Sequence, residues 1–167
     1  MLTVGILSDT HLEKVDESFV RKCVTVFDGC DAIIHAGDLT DIAILSVFKG
    51  KDIHAVSGNM CNRPTKQSIP ETKQIILEGY SIAITHGHNA GPRHSIEEKV
   101  FERFPEADCI IFGHTHEAVC RTFGSTLLIN PGSFSGTGRH GAAGTYAILH
   151  IDNKGLKALI HTVPNLP

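Results

Sequence analysis

The sequence predicts an α/β domain in which two β-sheets are flanked by helices. Its first part alternates short apolar strands with helical spacing, and its second part is rich in β-hairpin signals. Polar residues that can bind metal ions follow several of the strands directly. A chain of 167 residues fits one domain of ordinary size, so we predict a single domain over residues 1–167.

The first part of the chain predicts a βαβαβ unit with a parallel sheet. An unbroken apolar run from Leu2 to Leu7 is typical of a strand that is buried on both faces. Apolar residues then recur at helical spacing and stop at a glycine, twice in succession. The predicted elements are strands Leu2–Leu7, Ala32–His35 and Ile53–Val56, with helices from near Asp16 to Gly29 and from about Asp41 to Gly50.

The second part of the chain predicts more strands than helices. Glu78-Gly79-Tyr80, Gly124-Ser125 and Asn153-Lys154-Gly155 each separate two apolar segments, as in β-hairpins. Ser95 with Glu98 predicts a capping box for one helix that reaches about Phe104. The predicted strands are Lys73–Leu77, Ser81–Thr85, Cys109–Phe112, Val119–Phe123, Thr126–Ile129, Tyr146–Ile151 and Leu156–Thr162.

Composition narrows the classes of function and the compartment. The net charge of −3 provides no broad basic surface, so extended nucleic-acid binding is not expected. No apolar stretch approaches the roughly 20 residues of a membrane helix, and the first residues do not resemble a signal peptide. The five cysteines form no CxxC pair, which favours the reducing cytoplasm.

Seven potential metal ligands fall in five short motifs, and each motif follows an apolar strand. Mixed oxygen and imidazole ligands suit divalent first-row metals better than calcium or a thiolate zinc site. Seven ligands are too many for one ion of four to six ligands, and they suit two ions that share a bridging ligand. The candidates are Asp9 and His11 in SDTH, Asp38 in AGDLT, Asn59 in SGNM, His86 in THGH, and His114 and His116 in GHTH.

The spacing of the motifs suggests how these ligands divide between two ions. Asp38 stands alone in its motif and is therefore the predicted bridge. One of these motifs alone is more often turn chemistry than ligation, so the prediction depends on the ordered set of five. Glycines in the motifs, such as Gly37 and Gly58, would allow close approach of the backbone. The predicted groups are Asp9, His11, Asp38 and His116 for one ion, and Asp38, Asn59, His86 and His114 for the other.

Such a site predicts hydrolysis of a phosphate ester. Two ions about 3.5–4 Å apart lower the pKa of a bridging water from 15.7 toward ~7. The resulting hydroxide would attack phosphorus in line, without a covalent enzyme intermediate. The Asn59 amide could bind a metal ion and also contact a phosphoryl oxygen. Asp38 and Asn59 are therefore predicted to be catalytic, and Asn59 also to bind substrate.

SDTH, GDLT, GN, THGH and GHTH, followed by NPGS at Asn130–Ser133, resemble the calcineurin-like metallophosphoesterases. The likeness is to the small prokaryotic phosphodiesterase branch, which also includes the retromer scaffold subunit. The resemblance implies a four-layer α/β/β/α sandwich with two mixed sheets. It also implies hydrolysis of phosphodiesters or phosphomonoesters by two divalent ions, with manganese first and iron, zinc, nickel or cobalt as alternatives.

Two positions depart from the family pattern. Met60 follows the GN motif, where many members have a histidine that protonates the leaving group, so esters with acidic leaving groups should react best. The loop after NPGS is longer than the compact segment of the branch, and Arg139 is the predicted counterpart of its substrate-binding arginine. His88 is a further catalytic candidate, either as proton donor or as phosphate contact; alternatively, it supports a ligand through a hydrogen bond.

The rival hypothesis is a non-catalytic protein-binding scaffold on the same fold. The resemblance implies that the retromer subunit lacks the second histidine of GHxH, whereas His116 is present here. The sequence therefore favours a dinuclear phosphodiesterase or phosphatase over a scaffold. The natural substrate and the number of subunits stay open, a homo-oligomer included.

Overall fold

The computed structural model of the protein describes residues 1–136 and 142–166, and it confirms the predicted α/β/β/α sandwich. Two mixed five-stranded sheets pack face to face, and helices cover their outer faces. Among the described residues, no helix has the length and apolar character that crossing a bilayer requires.

The first sheet has the strand order β10-β9-β1-β2-β3. Its strands β1, β2 and β3 run parallel, as the βαβαβ pattern predicted, and β9 and β10 add an antiparallel hairpin. The bounds are β1 Leu2–Leu7, β2 Ala32–His35, β3 Asp52–Ala55, β9 Thr145–Asp152 and β10 Gly155–Thr162.

The second sheet has the strand order β4-β5-β6-β8-β7. Its central strands β5, β6 and β8 run parallel, and β4 and β7 pair antiparallel at the two edges. The bounds are β4 Thr72–Leu77, β5 Tyr80–Thr85, β6 Cys109–Ile111, β7 Val119–Phe123 and β8 Thr126–Asn130. All ten strands were predicted, with ends that differ by a residue or so.

Helices lie outside the two sheets. Helix α1 begins after Asp16, whose carboxylate accepts the Phe19 N–H at 2.7 Å, and this cap confirms the predicted start. The bounds are α1 Glu17–Phe27, a 3₁₀ helix Ile42–Phe48, α2 Arg63–Ser68, a 3₁₀ turn Arg93–Ser95 and α3 Ile96–Arg103.

Three local predictions differ from the structure. The segment after Asp41 is a 3₁₀ helix, a geometry that is common in short connecting segments, and it buries Ile44 and Phe48. The Ser95 side chain makes no capping bond to α3 and instead donates to the Pro92 carbonyl at 3.2 Å, so the predicted capping box is wrong. Helix α2 was not predicted, although Asn62 marks its start. The Asn62 side chain accepts the Thr65 N–H at 2.9 Å and so caps the helix.

The apolar core has three layers that follow from this architecture. One cluster fills the space between the sheets, and it includes the fully buried residues Val4, Ile34 and Ile111. A second cluster joins α1 and the 3₁₀ helix to the outer face of the first sheet, and a third joins α3 to the second sheet. Cys23 and Cys109 lie in these clusters and act as small core residues.

Replacing Gly5 with alanine should lower the free energy of unfolding by roughly 1–3 kcal/mol, because the core there has no room for a methyl group. A Cβ atom at Gly5 would lie 2.4 Å from Phe27 Cδ1 and 2.9 Å from Ile33 Cδ1. Urea denaturation measures the effect. Gly29→Ala is the matched control, since a Cβ there meets nothing within 4 Å. Equal midpoints for both variants would contradict the prediction.

Candidate metal centre

The predicted ligand motifs lie together where the parallel strands of both sheets end. Asp9 follows β1, Asp38 follows β2, and His86 and His114 follow β5 and β6. The backbone N–H of His114 donates to Asp9 Oδ2 at 3.2 Å, which joins the motif loops of the two sheets directly. Carboxyl ends of parallel strands are where α/β folds collect their ligands, and the predicted convergence is present.

Two overlapping groups of side chains bring their ligand atoms within 4.8 Å of one another. One group contains Asp9, His11 and His116, and the other contains Asp9, Asp38 and His86. Each group takes its carboxylates from the first sheet and one imidazole from the second sheet. Five of the seven predicted ligands are therefore assembled in positions from which they could hold cations.

Asp9 is the residue that the two groups share. Its Oδ1 lies 3.1 Å from His116 Nε2, 3.8 Å from His11 Nε2 and 3.9 Å from His86 Nε2. Asp38, the predicted bridge, lies in one group only, with Oδ2 at 3.1 Å from His86 Nε2. Bridging by Asp38 stays a prediction, and Asp9 joins it as a second candidate for that role.

Two buried atoms at the centre of these groups fit a metal ion. Asp9 Oδ1 and His86 Nε2 are shielded from solvent, and neither makes a hydrogen bond of good geometry within the described residues, although His116 Nε2 lies 3.1 Å from the first and Asp38 Oδ2 lies 3.1 Å from the second. Buried polar atoms without partners are rare in folded proteins, because each costs about 1–3 kcal/mol. A carboxylate oxygen and an imidazole nitrogen are also suitable ligands for first-row divalent cations. This donor set therefore fits the predicted metal site.

The imidazole of His86 is held in one orientation by the backbone. Its Nδ1 lies 2.9 Å from the Ala36 carbonyl, which can accept only from a protonated Nδ1. Nε2 consequently faces the carboxylates of Asp9 and Asp38. Metal-binding histidines are typically held through their second ring nitrogen in this way.

The ligand residues adopt backbone conformations that are uncommon for residues other than glycine. Such left-handed backbone costs about 1–3 kcal/mol per residue and clusters at functional sites. Gly37, one of the glycines expected to allow close approach of the backbone, also has a positive φ, of 97°. The non-glycine residues of the motifs with positive φ are Asp9 (53°), His11 (50°), Asp38 (53°), Thr40 (69°), His114 (69°) and His116 (61°).

Gly58 allows the backbone to approach the Asp38 carboxylate closely. A Cβ atom at this position would lie 2.2 Å from Asp38 Oδ1 and 2.6 Å from His86 Cδ2. The Met60 N–H, two residues later, donates to the same Asp38 oxygen at 2.7 Å. The glycine therefore provides the room in which this loop holds the carboxylate.

Electrostatic coupling links Asp38 and His86. Burial alone would raise the pKa of Asp38, but the adjacent His86 and the Met60 N–H lower it below its ordinary value. Burial alone would lower the pKa of His86, but the carboxylates of Asp38 and Asp9 raise it. Because metal ions bind the neutral imidazole, protons and metal ions would compete for this site.

Two further histidines lie beside His86. The ring centroids of His114 and His88 are 5.3 Å and 5.5 Å from that of His86. Burial, followed by the charge of His86, lowers the pKa of both. His88 Nδ1 is buried and has no hydrogen-bond partner in the described part of the chain, and the alternative roles of His88 stay predictions.

The remaining predicted residues are less constrained. Asn59 is exposed in the loop after β3, and its carbonyl accepts from Lys66 Nζ at 2.8 Å. Its roles as ligand and substrate contact stay predictions. Met60 is 58% exposed at the same loop, where its thioether cannot donate a proton. Arg139, the predicted substrate-binding arginine, lies outside the described residues.

His35 lies near this centre but is a packed residue, as expected from its position inside a strand. It is fully buried, and its Nε2 lies 3.1 Å from Thr10 Oγ1. Burial lowers the pKa of His35 to about 3, so the ring is neutral at physiological pH. It supports the loop that carries Asp9 and does not belong to either ligand group.

Comparison with known proteins agrees with this fold. Residues 2–154 match the calcineurin-like phosphoesterase superfamily domain, which is most of the chain. The chain belongs to this superfamily. The candidate metal-binding residues described above are consistent with its metal-dependent chemistry.

Three relatives illustrate the breadth of the family. A probable metallophosphoesterase of Bacillus subtilis is 39% identical over 155 residues, which are 91% of this chain and 86% of that protein. Vacuolar protein sorting-associated protein 29 of Schizosaccharomyces pombe is 26% identical over 142 residues, covering 81% and 73% of the two chains. The structure of an archaeal phosphodiesterase superposes with a TM-score of 0.74 at 26% identity, covering 96% of this chain and 100% of that one.

Proposed function

We propose that the protein is a dinuclear metal-dependent phosphodiesterase. The observation that carries this proposal is the pair of overlapping ligand groups that share the buried Asp9. The phosphodiesterase name of an archaeal structural relative supports the substrate class. Manganese is the first candidate metal, with iron, zinc, nickel and cobalt as alternatives.

The chain's own residues would hold and orient the reacting groups. When bound, the two ions would supply Lewis acidity and a hydroxide at neutral pH for in-line attack on phosphorus. His11 and His116 complete the group on one side of Asp9, and Asp38 and His86 the group on the other. His114 and His88 lie beside His86 on the second side. Together with Asn59 they are the proposed contacts for ligand or phosphoryl oxygens.

A cavity beside His116 is a candidate site for an organic substituent of the ester. It has a volume of about 100 Å³ and is lined by small side chains, among them Ala118, Ser133 and Thr145. A diester carries a second organic substituent that such a cavity could accept, whereas a monoester has none. The exposed Met60 offers no proton to the leaving group, so esters of acidic alcohols are the expected good substrates.

Hydrolysis of bis-p-nitrophenyl phosphate with added Mn²⁺ tests the proposal. We expect turnover by the wild type and a loss of about 10²–10³-fold in His86→Ala and Asp38→Ala, because each removes a ligand of the ions that would stabilise charge at the reacting phosphate. Asn59→Ala should lower kcat more than it changes Mn²⁺ affinity. p-Nitrophenyl phosphate, the matching monoester, should be the poorer substrate.

The outcome that would refute the enzyme proposal is clear. It is either no Mn²⁺-dependent turnover by the wild type, or turnover that neither substitution changes. His54→Ala is a suitable control, because that histidine lies in β3 and pairs with Asp52 at 3.1 Å, outside both ligand groups. Asn59→Ala kinetics equal to those of the wild type would refute the role assigned to Asn59 alone.

A protein-binding scaffold is the second candidate. The similarity to vacuolar protein sorting-associated protein 29 supports it. The position of His116, whose Nε2 lies 3.1 Å from Asp9 Oδ1, favours catalysis instead. Tight Mn²⁺ binding without hydrolysis of any diester, together with a specific protein partner, would favour the scaffold.

A cytoplasmic setting completes the proposal. All five cysteines are free thiols, and four of them are buried, so the fold does not depend on disulfides. Such a chain suits a reducing compartment.

A further inference from the structure

The Ser8 hydroxyl lies directly behind the shared carboxylate of the metal centre. Ser8 follows the last residue of β1 and is fully buried. Its Oγ is 2.5 Å from Asp9 Oδ2 and 2.9 Å from the Gly132 carbonyl oxygen. The hydroxyl has one proton, and when it is donated to the carboxylate, the nearer and charged acceptor, it makes a charge-assisted hydrogen bond. Neither the ligand assignment nor the proposed chemistry uses this residue.

The two oxygens of Asp9 have different environments because of this contact. Oδ2 receives the Ser8 hydroxyl and the His114 N–H. Oδ1 receives no hydrogen bond within residues 1–136 and 142–166, and it faces the Nε2 atoms of His11, His86 and His116. One oxygen is anchored and the other is presented to the candidate ions.

We propose that Ser8 is a positioning residue that anchors Oδ2 of Asp9, so that Oδ1 faces the candidate metal centre. The inference rests on the proposed function, since it concerns ions that this function requires. Rotation about the last side-chain bond of aspartate is soft, so a carboxylate without an anchor samples a broad range of angles. With Ser8 present, the torsion is set before an ion arrives, and binding does not have to order it.

A purely structural role for Ser8 makes a different prediction. The loop that carries Asp9 is also held by bonds that do not involve the Ser8 side chain. The Phe134 N–H donates to the Ser8 carbonyl at 3.0 Å, and the Ser133 hydroxyl donates to the Asp9 carbonyl at 3.0 Å. Removing the Ser8 hydroxyl leaves both in place. A structural role would therefore reduce stability and leave metal affinity unchanged.

Mn²⁺ titration of the full chain by calorimetry separates the two roles. We expect Ser8→Ala to bind Mn²⁺ about 10–100-fold more weakly than the wild type, as is typical when the partner of a metal ligand is lost. Thermal unfolding without metal is measured in parallel. Thr126→Val is the matched control, because the Thr126 hydroxyl is also buried and donates to the Ala107 carbonyl at 2.8 Å, at the opposite end of β8 from the motifs. It should lose stability and keep the wild-type affinity.

The outcomes distinguish this inference from the proposed function. Mn²⁺ affinity of Ser8→Ala within about twofold of the wild type would overturn the role of Ser8 and leave the metal site standing. A wild type that binds no Mn²⁺ would overturn both. If Ser8→Ala does not fold, Ser8→Cys replaces it, since a thiol of similar shape is a poor donor. The same two criteria then apply.

Discussion

Asp9→Asn should abolish the binding of both ions and lower kcat/KM for bis-p-nitrophenyl phosphate by about 10³-fold, equivalent to about 4 kcal/mol. Asp9 is the only residue common to the two ligand groups of the described chain. The His114 N–H points at Oδ2, so an asparagine would turn its amide oxygen toward that donor. Its NH₂ group would then face the imidazoles and repel a cation.

Calorimetric titration with Mn²⁺ measures the stoichiometry, and initial rates measure kcat/KM. Asp31→Asn is the matched control, since Asp31 also accepts a backbone N–H, from Thr3 at 2.8 Å, on the exposed surface. It should bind Mn²⁺ as the wild type does. Two equivalents of Mn²⁺ bound to Asp9→Asn with wild-type affinity would contradict the shared role of Asp9.

Gly58→Ala should lower kcat/KM by about 10²-fold, because a shift of roughly 1 Å in a group that orients the reaction has an effect of this size. The added methyl group would overlap the Asp38 carboxylate, with 2.2 Å between Cβ and Oδ1. The obstacle includes the Asp38 backbone nitrogen at 2.7 Å, so rotation of one side chain cannot relieve it. Asp38 and the loop of Met60 would have to move apart.

Kinetics and thermal unfolding together test this expectation. Gly29→Ala serves again as the reference for a glycine replaced in open space, and it should keep full activity. A loss of activity without loss of cooperative unfolding would locate the effect at the site. Wild-type kcat/KM in Gly58→Ala would mean that the position of the Asp38 carboxylate is not critical.

Much of this arrangement could be predicted because the strands are recognisable in the sequence as apolar runs. The apolar runs Leu2–Leu7 and Ala32–His35 are fully or largely buried strands. Polar residues that follow them therefore lie at the carboxyl ends of the strands. Hairpin signals such as Glu78-Gly79 predicted the paired strands of the second sheet, and both residues have positive φ in the structure. Strand ends and ligand types together predicted that the motifs converge.

What escaped prediction depends on backbone positions that no side-chain pattern encodes. The N–H groups of Met60 and His114 hold the Asp38 and Asp9 carboxylates, and neither contact depends on the identity of the donor side chain. The presence of Asp9 in both ligand groups likewise depends on the distances between ligand atoms from the two sheets, which the sequence does not reveal. Helix α2 was missed because six residues are too few for a periodic pattern, although Asn62 and Pro64 mark its start.

Because each ligand group contains residues from both sheets, bound ions would cross-link the two sheets of the sandwich. Separating the two sheets would then require release of the cations, so the free energy of unfolding would depend on the concentration of free metal. At a free concentration 100 times its dissociation constant, each ion adds about 2.7 kcal/mol to the unfolding free energy. Depletion of the metal in the cell would accordingly shorten the lifetime of the protein and also abolish its activity.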